Sequence, residues 1–196
     1  MAWISWVEEG EAQSPVAETY ERARKGFGFV PDVVKIFSLR PNVAAAQDLL
    51  RQSLLGPASS LGARRADMVS AMVAAMNHCQ YCSIAHAGGL AERGELARAD
   101  ALTLLTDWRA LDLPEDERAM LAFAEKLTES PAEMAEADVQ RLRDVGFTDE
   151  NVYDIVLLTA YRNYLTRIIA GLGVTVDRLR QRFGDEHVEA VLATRL

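Results

Sequence analysis

Residues 65–86 read RADMVSAMVAAMNHCQYCSIAH, and this stretch carries both the clearest fold signal and the chemistry of the chain. The segment Gly62 to Met76 is rich in alanine and methionine, with apolar residues at helical spacing, which predicts a helix. Asn77-His78 interrupts that pattern. A new helix is predicted from Cys79 to Glu92, with Gly94 as its stop. The two cysteines should therefore lie at a helix N-terminus.

Helix start and stop signals recur along the rest of the chain. Ser14-Pro15 reads as the start of one helix, and Arg40-Pro41 opens another that should end at Gly56-Pro57. Pro114 precedes a run of acids, and Thr148 opens a long apolar helix through Ile169. No alternating strand and no low-complexity linker is present. The pattern predicts an all-α fold, with one domain over residues 1–196 and a redox core at about residues 62–94.

A weak internal echo links the two halves of the chain. Ala75-Met76-Asn77 resembles Tyr161-Arg162-Asn163, each inside an apolar helix that leads to glycines. The echo suggests two related helical halves, of which only one carries cysteines.

Two predicted helices, Met68–Met76 and Val152–Ile169, are apolar nearly all round. Such helices must be buried on every side, and a chain of this size has limited room for two of them. We therefore expect a homo-oligomer in which a partner copy helps to cover them. The cysteine pair should lie near the subunit interface but stay accessible, because a reductant has to reach it.

Charge and hydropathy exclude several classes of partner. The net charge is −8, and basic residues are scattered among acids, so a phosphate-binding surface for nucleic acid or anionic lipid is not expected. No stretch approaches the roughly 18–20 apolar residues of a membrane span. The first residues lack the basic region of a signal peptide. These features predict a cytoplasmic protein that binds neither nucleic acid nor membranes.

The only two cysteines are three positions apart, and a histidine follows four positions later. On a helix, Cys79, Cys82 and His86 can share one stripe, since positions three, four and seven apart lie on the same face. A disulfide that closes so short a loop stabilises little. In a reducing cytoplasm such a pair more often performs chemistry or holds a metal.

This constellation is suited to thiol chemistry. The helix N-terminus favours the thiolate, which is the reactive form of cysteine. His86 can accept the proton of Cys82 and return it near neutral pH. A thiolate beside a second thiol can reduce a peroxide: the first sulfur becomes a sulfenic acid, and the second displaces water to form a disulfide.

Three other interpretations compete with peroxide chemistry. A buried cysteine pair on an alanine-rich helix can be ordinary core packing. Cys79, Cys82 and His86 could hold zinc if Asp67 or His78 supplied a fourth ligand, although structural zinc sites normally take their second ligand pair from a distant segment. A thioredoxin fold also uses two cysteines at this spacing, but it requires strands that the sequence lacks.

Residues 65–86 resemble the core of the AhpD-like alkylhydroperoxidases, within the carboxymuconolactone decarboxylase superfamily. The resemblance is greatest to the subgroup called peroxidase-related enzymes. It extends to segments upstream and downstream of the core and covers the chain from about residue 30 to 176; the segments are residues 37–41, 123–128, 144–147 and 167–174.

The resemblance implies an all-helical AhpD-like bundle that assembles into homo-oligomers. It implies that Cys82 attacks the peroxide, that Cys79 resolves the sulfenic acid, and that His86 relays protons with an acid at the position of Asp67. It requires no haem, flavin or bound metal, and the reductant would be lipoamide or another thiol.

Two positions depart from the usual family pattern. Asp67 stands where the family usually has glutamate, and Tyr81 stands where the best-known members have histidine. Aspartate is one methylene shorter, so a water molecule or a shifted helix is expected to complete the relay. If the relay is absent, Asp67 should instead pair with Arg64 or Arg65.

The leading hypothesis is a thiol-dependent hydroperoxide reductase that acts on hydrogen peroxide or an organic hydroperoxide. The second is a non-enzymatic dithiol redox sensor or interaction module, whose disulfide switches a partner surface. The third is a metal-binding helical protein.

Overall fold

The computed structural model describes residues 2–55 and 58–194, and over these ranges the chain forms α-helices and no strand. The all-α prediction is confirmed. The helices are α1 (Val16–Phe27), α2 (Asp32–Lys35), α3 (Pro41–Leu55), α4 (Gly62–Met76), α5 (Gln80–Glu92), α6 (Arg98–Asp107), α7 (Glu115–Glu129), α8 (Glu136–Asp144), α9 (Asp149–Leu172) and α10 (Asp177–Ala193).

Two predicted helix starts agree with the structure. Pro114 directly precedes α7. Thr148 caps α9, where its hydroxyl accepts a hydrogen bond from the backbone N–H of Asn151 at 3.2 Å. The predicted end of α3 at Gly56-Pro57 lies outside the described residues. None of the helices within those residues is long and apolar enough to cross a membrane.

Helix α4 forms the centre of the bundle. It packs against α5 along its length and also against α6, α7 and α9. Every residue from Met68 to Ala75 is buried. Neighbouring helices of the same chain already cover α4, so its apolar surface is no evidence for a partner subunit. The expectation that a second copy is needed to bury this helix was wrong, because five helices of the same chain, α3, α5, α6, α7 and α9, pack around it.

The connection between α4 and α5 is a tight turn. Asn77 ends α4, and His78 adopts a left-handed backbone conformation with φ of 53°. Cys79 then leaves the helical conformation, with φ of −94° and ψ of 88°, and is the N-cap of α5, so the helix begins at Gln80, one residue later than predicted. The N–H of Cys79 bonds back to the carbonyl of Ala74 at 2.9 Å, which ties the start of α5 to the end of α4.

Helix α9 is buried on one side only. Ile155, Leu158 and Leu165 point into the core, whereas Tyr153 and Tyr164 are exposed. The prediction of an all-round apolar helix was therefore wrong, because tyrosines were counted with the core residues although their hydroxyls can face water. The buried side of α9 contacts α4, α7 and α3.

The two asparagines of the internal echo meet in space. The Asn77 amide donates to Oδ1 of Asn163 at 3.0 Å, and Arg167 donates to the same Asn163 oxygen at 3.0 Å. This polar contact joins the end of α4 to the middle of α9, close in sequence to the cysteine pair.

Candidate active site

A cavity of about 250 Å³ lies between α3, α5, α9 and α10. Its wall is largely apolar and includes four phenylalanines, Phe27, Phe29, Phe37 and Phe183. Polar side chains from α4, α5 and α9 form another part of the wall, and these are the groups able to do chemistry. Asp67, Cys82 and His86 all line the cavity, but Cys79 does not.

Asp67 and His86 are directly hydrogen-bonded across the α4–α5 contact. The imidazole Nδ1 lies 2.6 Å from Oδ1 of Asp67, and the second carboxylate oxygen accepts from the Arg93 guanidinium at 2.6 Å. An ionised carboxylate can only accept, so neutral His86 carries its proton on Nδ1. Its Nε2 is then left as the proton acceptor.

The two arginines near Asp67 in sequence, Arg64 and Arg65, do not compete with His86 for its carboxylate. Arg64 pairs with Glu117 at 2.8 Å, and Arg65 pairs with Asp116, so both arginines of α4 are directed to α7. The alternative in which Asp67 pairs with either arginine is wrong. Aspartate also reaches His86 without an intervening water or a shifted helix, contrary to the expectation from its shorter side chain.

Gly89 provides the space that the Asp67–Arg93 pair occupies. A Cβ atom at this position would lie 3.2 Å from Oδ2 of Asp67 and 3.1 Å from Nη1 of Arg93, closer than ordinary contact. His86, Gly89 and Arg93 are three and four positions apart, so the last two turns of α5 place all three on the face that meets Asp67.

The electrostatics keep Asp67 ionised and His86 neutral. Burial alone would raise the pKa of Asp67, but the His86 and Arg93 contacts outweigh it and lower that pKa. Burial lowers the pKa of His86, and the charge of Arg162 lowers it further against the opposing effect of Asp67. At neutral pH His86 is thus an imidazole ready to accept a proton.

Both cysteines are free thiols and buried. A hydrogen bond from Cys82 lowers the pKa of the Cys79 thiol against the effect of burial, and the backbone N–H groups of Cys82 and Tyr81 at the start of α5 lower it further. Donating that hydrogen bond raises the pKa of Cys82, and so does burial. The first proton is therefore lost from Cys79, and Cys82 keeps its proton as the hydrogen-bond donor to the Cys79 thiolate.

Arg162 is a site residue that the sequence reasoning did not single out. It lies in the middle of α9, is only 2% exposed, and lines the cavity. Its positive charge lowers the pKa of both thiols and of His86. A charged residue inside an apolar helical run was the available signal, since such a residue is rarely buried without a function or a partner.

The two residues beside the cysteines differ in their placement. His78 is exposed and does not line the cavity. Tyr81 lines the cavity, is 4% exposed, and its hydroxyl makes no hydrogen bond of normal geometry. Burial raises the pKa of Tyr81, so the phenol keeps its proton and is a potential donor.

The zinc alternative finds no support in the side-chain arrangement. Across residues 2–55 and 58–194, no group of three or more His, Cys, Asp or Glu side chains is placed to hold a metal ion.

Solved structures with the same fold are peroxidase-related proteins. A protein from Ralstonia eutropha JMP134, described as an alkylhydroperoxidase AhpD core, is 26% identical and aligns over 100% of this chain and 97% of its own, with a TM-score of 0.83. A peroxidase-related protein from Silicibacter sp. TM1040 is 25% identical over 87% of this chain and 91% of its own, with a TM-score of 0.77.

The same fold also occurs in the debrominase Bmp8, which is 18% identical over 96% of this chain and 97% of its own, with a TM-score of 0.78. At that identity the likeness concerns the fold alone. No family model and no curated protein matches the chain.

Proposed function

This chain has the fold of the AhpD-like peroxidase-related proteins, and on that premise we propose that it is a thiol-dependent hydroperoxide reductase. The likeness supports an antioxidant enzyme family. The observation that carries the proposal is the wall of the cavity, where the sulfur of Cys82 lies with the Asp67–His86 hydrogen bond. A nucleophile, a base and an orienting acid are the parts that such a reaction needs.

In the proposed reaction His86 first removes one proton from the thiol pair at Nε2. When the remaining proton sits on Cys79, the thiolate is on Cys82. That thiolate attacks one peroxide oxygen, the O–O bond breaks, and Cys82 becomes a sulfenic acid. His86 returns its proton to the departing alkoxide, which leaves as an alcohol, or as water when the substrate is hydrogen peroxide.

The second step uses Cys79. Its sulfur attacks the sulfenic acid of Cys82, the S–O bond breaks, and the hydroxyl leaves as water with the proton of Cys79. The product is a Cys79–Cys82 disulfide. An external dithiol, lipoamide-like or another small thiol, then reduces the pair by thiol–disulfide exchange and becomes oxidised.

Access to the cavity supports Cys82 as the attacking sulfur. Cys82 lines the cavity and Cys79 does not, so a peroxide there meets Cys82 first. The lower pKa of Cys79 is compatible with this order, because the proton of Cys82 can pass to the Cys79 thiolate and leave the charge on the sulfur that faces the substrate.

The apolar wall favours an organic hydroperoxide as substrate over hydrogen peroxide. The reaction needs no haem, flavin or metal. We place it in the reducing cytoplasm, where both thiols are kept reduced between turnovers.

We also propose that the protein is a homo-oligomer, and the support for this is an exposed apolar surface on α3. Val43 and Leu50 of α3 are exposed and lie seven positions apart, so they form a short apolar stripe along one face of the helix, and the exposed side chain of Leu39 lies just before the helix begins. Asp48, Gln47 and Arg51 of the same helix face the cavity. A second copy packed on this stripe would lie near the site without closing it.

Trapping the sulfenic acid tests which sulfur attacks. In Cys79→Ser the resolving thiol is absent, so one equivalent of peroxide should leave a dimedone adduct on Cys82. The matched variant Cys82→Ser should react slowly at Cys79. Rapid oxidation of Cys79 in that variant would reverse the assignment, and slow oxidation of both variants would remove peroxide reduction from the account.

A further inference from the structure

Arg162 has a placement that its neighbours in the cavity wall do not share. Each of the three other arginines that line the cavity pairs with a carboxylate: Arg51 with Asp48, Arg93 with Asp67 and Glu95, and Arg182 with Glu92. Arg162 is 2% exposed and has no carboxylate within salt-bridge distance in the part of the chain that the structure describes.

The donors of Arg162 are also incompletely used. Its Nε is buried and has no hydrogen-bond partner. Its Cζ lies 4.8 Å from the ring of Tyr161, a cation–π contact that offsets only part of the cost of burying a charge. An arginine cannot escape that cost by losing its proton. Burying a cation without a counter-ion costs desolvation free energy. We therefore infer that negative charge arises next to Arg162 at some stage of the reaction cycle.

The groups beside Arg162 identify where this negative charge arises. Arg162 and Cys82 line the same cavity, and the charge of the guanidinium lowers the pKa of Cys82, of Cys79 and of His86. His86 is neutral, and Asp67 is already engaged by His86 and Arg93. Four arginines and two aspartates line the cavity of a chain whose net charge is −8, so positive charge is concentrated here against the overall balance.

We propose that Arg162 is a catalytic residue that stabilises negative charge at Cys82: the thiolate formed when Cys82 passes its proton to Cys79, and the departing oxygen of the hydroperoxide during the attack. The first half, the part that concerns the thiolate, depends on the burial of the unpaired cation in the cavity wall that it shares with Cys82. The second half rests on the proposed function.

The charge can pass from one partner to the other in a single step. The Cys82 thiolate gives its electron pair to the nearer peroxide oxygen, the O–O bond breaks, and the negative charge moves to the leaving oxygen. A guanidinium has several N–H groups, so Arg162 can keep one on the sulfur and offer Nε to the oxygen. The proton on His86 then neutralises the alkoxide.

The oxidised protein has lost the anion that Arg162 pairs with. A disulfide carries no charge, which leaves the buried guanidinium uncompensated and disfavours the oxidised state relative to the reduced one. Replacing Arg162 by a neutral side chain should therefore make the disulfide harder to reduce. We expect its equilibrium constant with a reference dithiol to shift by about tenfold or more toward the disulfide.

Alkylation against pH tests the first half. Iodoacetamide labelling of Cys82, read by mass spectrometry of the peptide, is compared in wild type, Arg162→Met, Arg162→Lys and the control Arg143→Met, whose arginine pairs with exposed Asp149 on the surface. Burial raises the pKa of Tyr81 and of Tyr161, and the contacts with His86 and Arg93 lower the pKa of Asp67. The groups around Cys82 whose charge changes in the labelling range are therefore His86 and the two thiols.

The labelling midpoint of Arg162→Met should rise by about 1–3 pH units relative to wild type, as expected when an adjacent opposite charge is removed. Arg162→Lys should recover part of the shift, and Arg143→Met should show none. An unchanged midpoint in Arg162→Met would overturn the thiolate pairing.

The rate with an organic hydroperoxide tests the second half at a pH where Cys82 is fully ionised in every variant. There Arg162→Met should alkylate at least as fast as wild type but reduce cumene hydroperoxide about 100-fold more slowly, since one preorganised donor to the leaving oxygen is lost. Equal losses in both reactions would contradict a role at the oxygen. A wild type whose labelling midpoint lies below that of Arg162→Met, yet which reduces no hydroperoxide, would refute the proposed function and leave the thiolate pairing intact.

A purely structural role makes the opposite prediction for stability. Removal of an uncompensated buried cation should leave the melting temperature of the oxidised protein unchanged or higher in Arg162→Met. A large decrease there would mean that Arg162 supports the fold, and would overturn the proposal. If Arg162→Met is insoluble, Arg162→Gln and Arg162→Lys replace it in the labelling, rate and stability measurements.

Discussion

The substitution Asp67→Asn isolates the charge in the Asp67–His86 contact while it preserves the shape of the side chain. In the wild type the carboxylate accepts from Nδ1 at 2.6 Å, which leaves Nε2 unprotonated and able to take a thiol proton. An asparagine can turn its NH₂ group toward Nδ1, and the imidazole proton then moves to Nε2, where the base should be. The variant should keep its fold and lose its proton acceptor.

The size of the effect follows from the kind of hydrogen bond that is lost. A hydrogen bond to a charged group contributes about 1.5–3 kcal/mol, and about 1.4 kcal/mol corresponds to a factor of ten in rate. Peroxide reduction near neutral pH should therefore fall about 10- to 100-fold. Arg93 keeps its second partner, Glu95, at 2.7 Å, so stability should change little.

The assay is the second-order rate of disulfide formation with an organic hydroperoxide from about pH 6 to 9, followed by the loss of free thiols. Asp116→Asn is the matched control, because it also removes a carboxylate from an arginine pair of α4 but lies outside the cavity. Asp67→Glu should bring no gain, since aspartate already reaches both partners and Gly89 leaves little extra room. Equal rates in wild type, Asp67→Asn and the control would refute the relay.

Three further predictions concern stability and assembly. The pKa of His86 is lower in the folded protein than in the unfolded chain, so on acidification the unfolded chain binds the proton first. The urea concentration at the unfolding midpoint should therefore fall as the pH drops below about 6.5. The variant His86→Gln should show a weaker pH dependence. Gly89→Ala should slow peroxide reduction severalfold, because the added Cβ displaces Asp67. Gly88→Ala should instead lower the free energy of unfolding by about 1–3 kcal/mol, because its Cβ would lie 2.7 Å from the Phe183 ring. Equal losses of stability in the two variants would count against this distinction. Light scattering over a dilution series should show an oligomer that Val43→Glu weakens, and an active monomer of 21.6 kDa at micromolar concentration would rule the oligomer out.

Much of the fold could be predicted from the sequence, and so could the part of the site that lies on the single helix α5, because both depend on the spacing of residues close in sequence. Start signals such as Thr148 act on the N–H groups of the next turn, and the turn before Cys79 is visible as a break in an apolar run. The positions of Cys82 and His86 relative to one another follow from helix geometry. These features need no knowledge of how helices pack.

The parts that sequence reasoning missed depend on contacts between distant segments. Arg162 is 80 positions from Cys82, and no periodicity in α9 indicates which neighbour its charge meets. The choice of Asp67 between His86 and the adjacent arginines was decided by acids on α7 that draw those arginines away. Gly89 was unremarked for the same reason, since a missing side chain is informative only when its neighbours are known.

The most direct test of the central claim is a mass spectrum of the reduced protein after one equivalent of an organic hydroperoxide, followed by a second spectrum after a dithiol is added. We predict a mass decrease of two hydrogens that maps to a Cys79–Cys82 disulfide, one alcohol formed per protein, and return of the original mass with the dithiol. A protein that keeps both thiols while the peroxide persists, or that accumulates sulfinic acid on Cys82 without forming the disulfide, would contradict it.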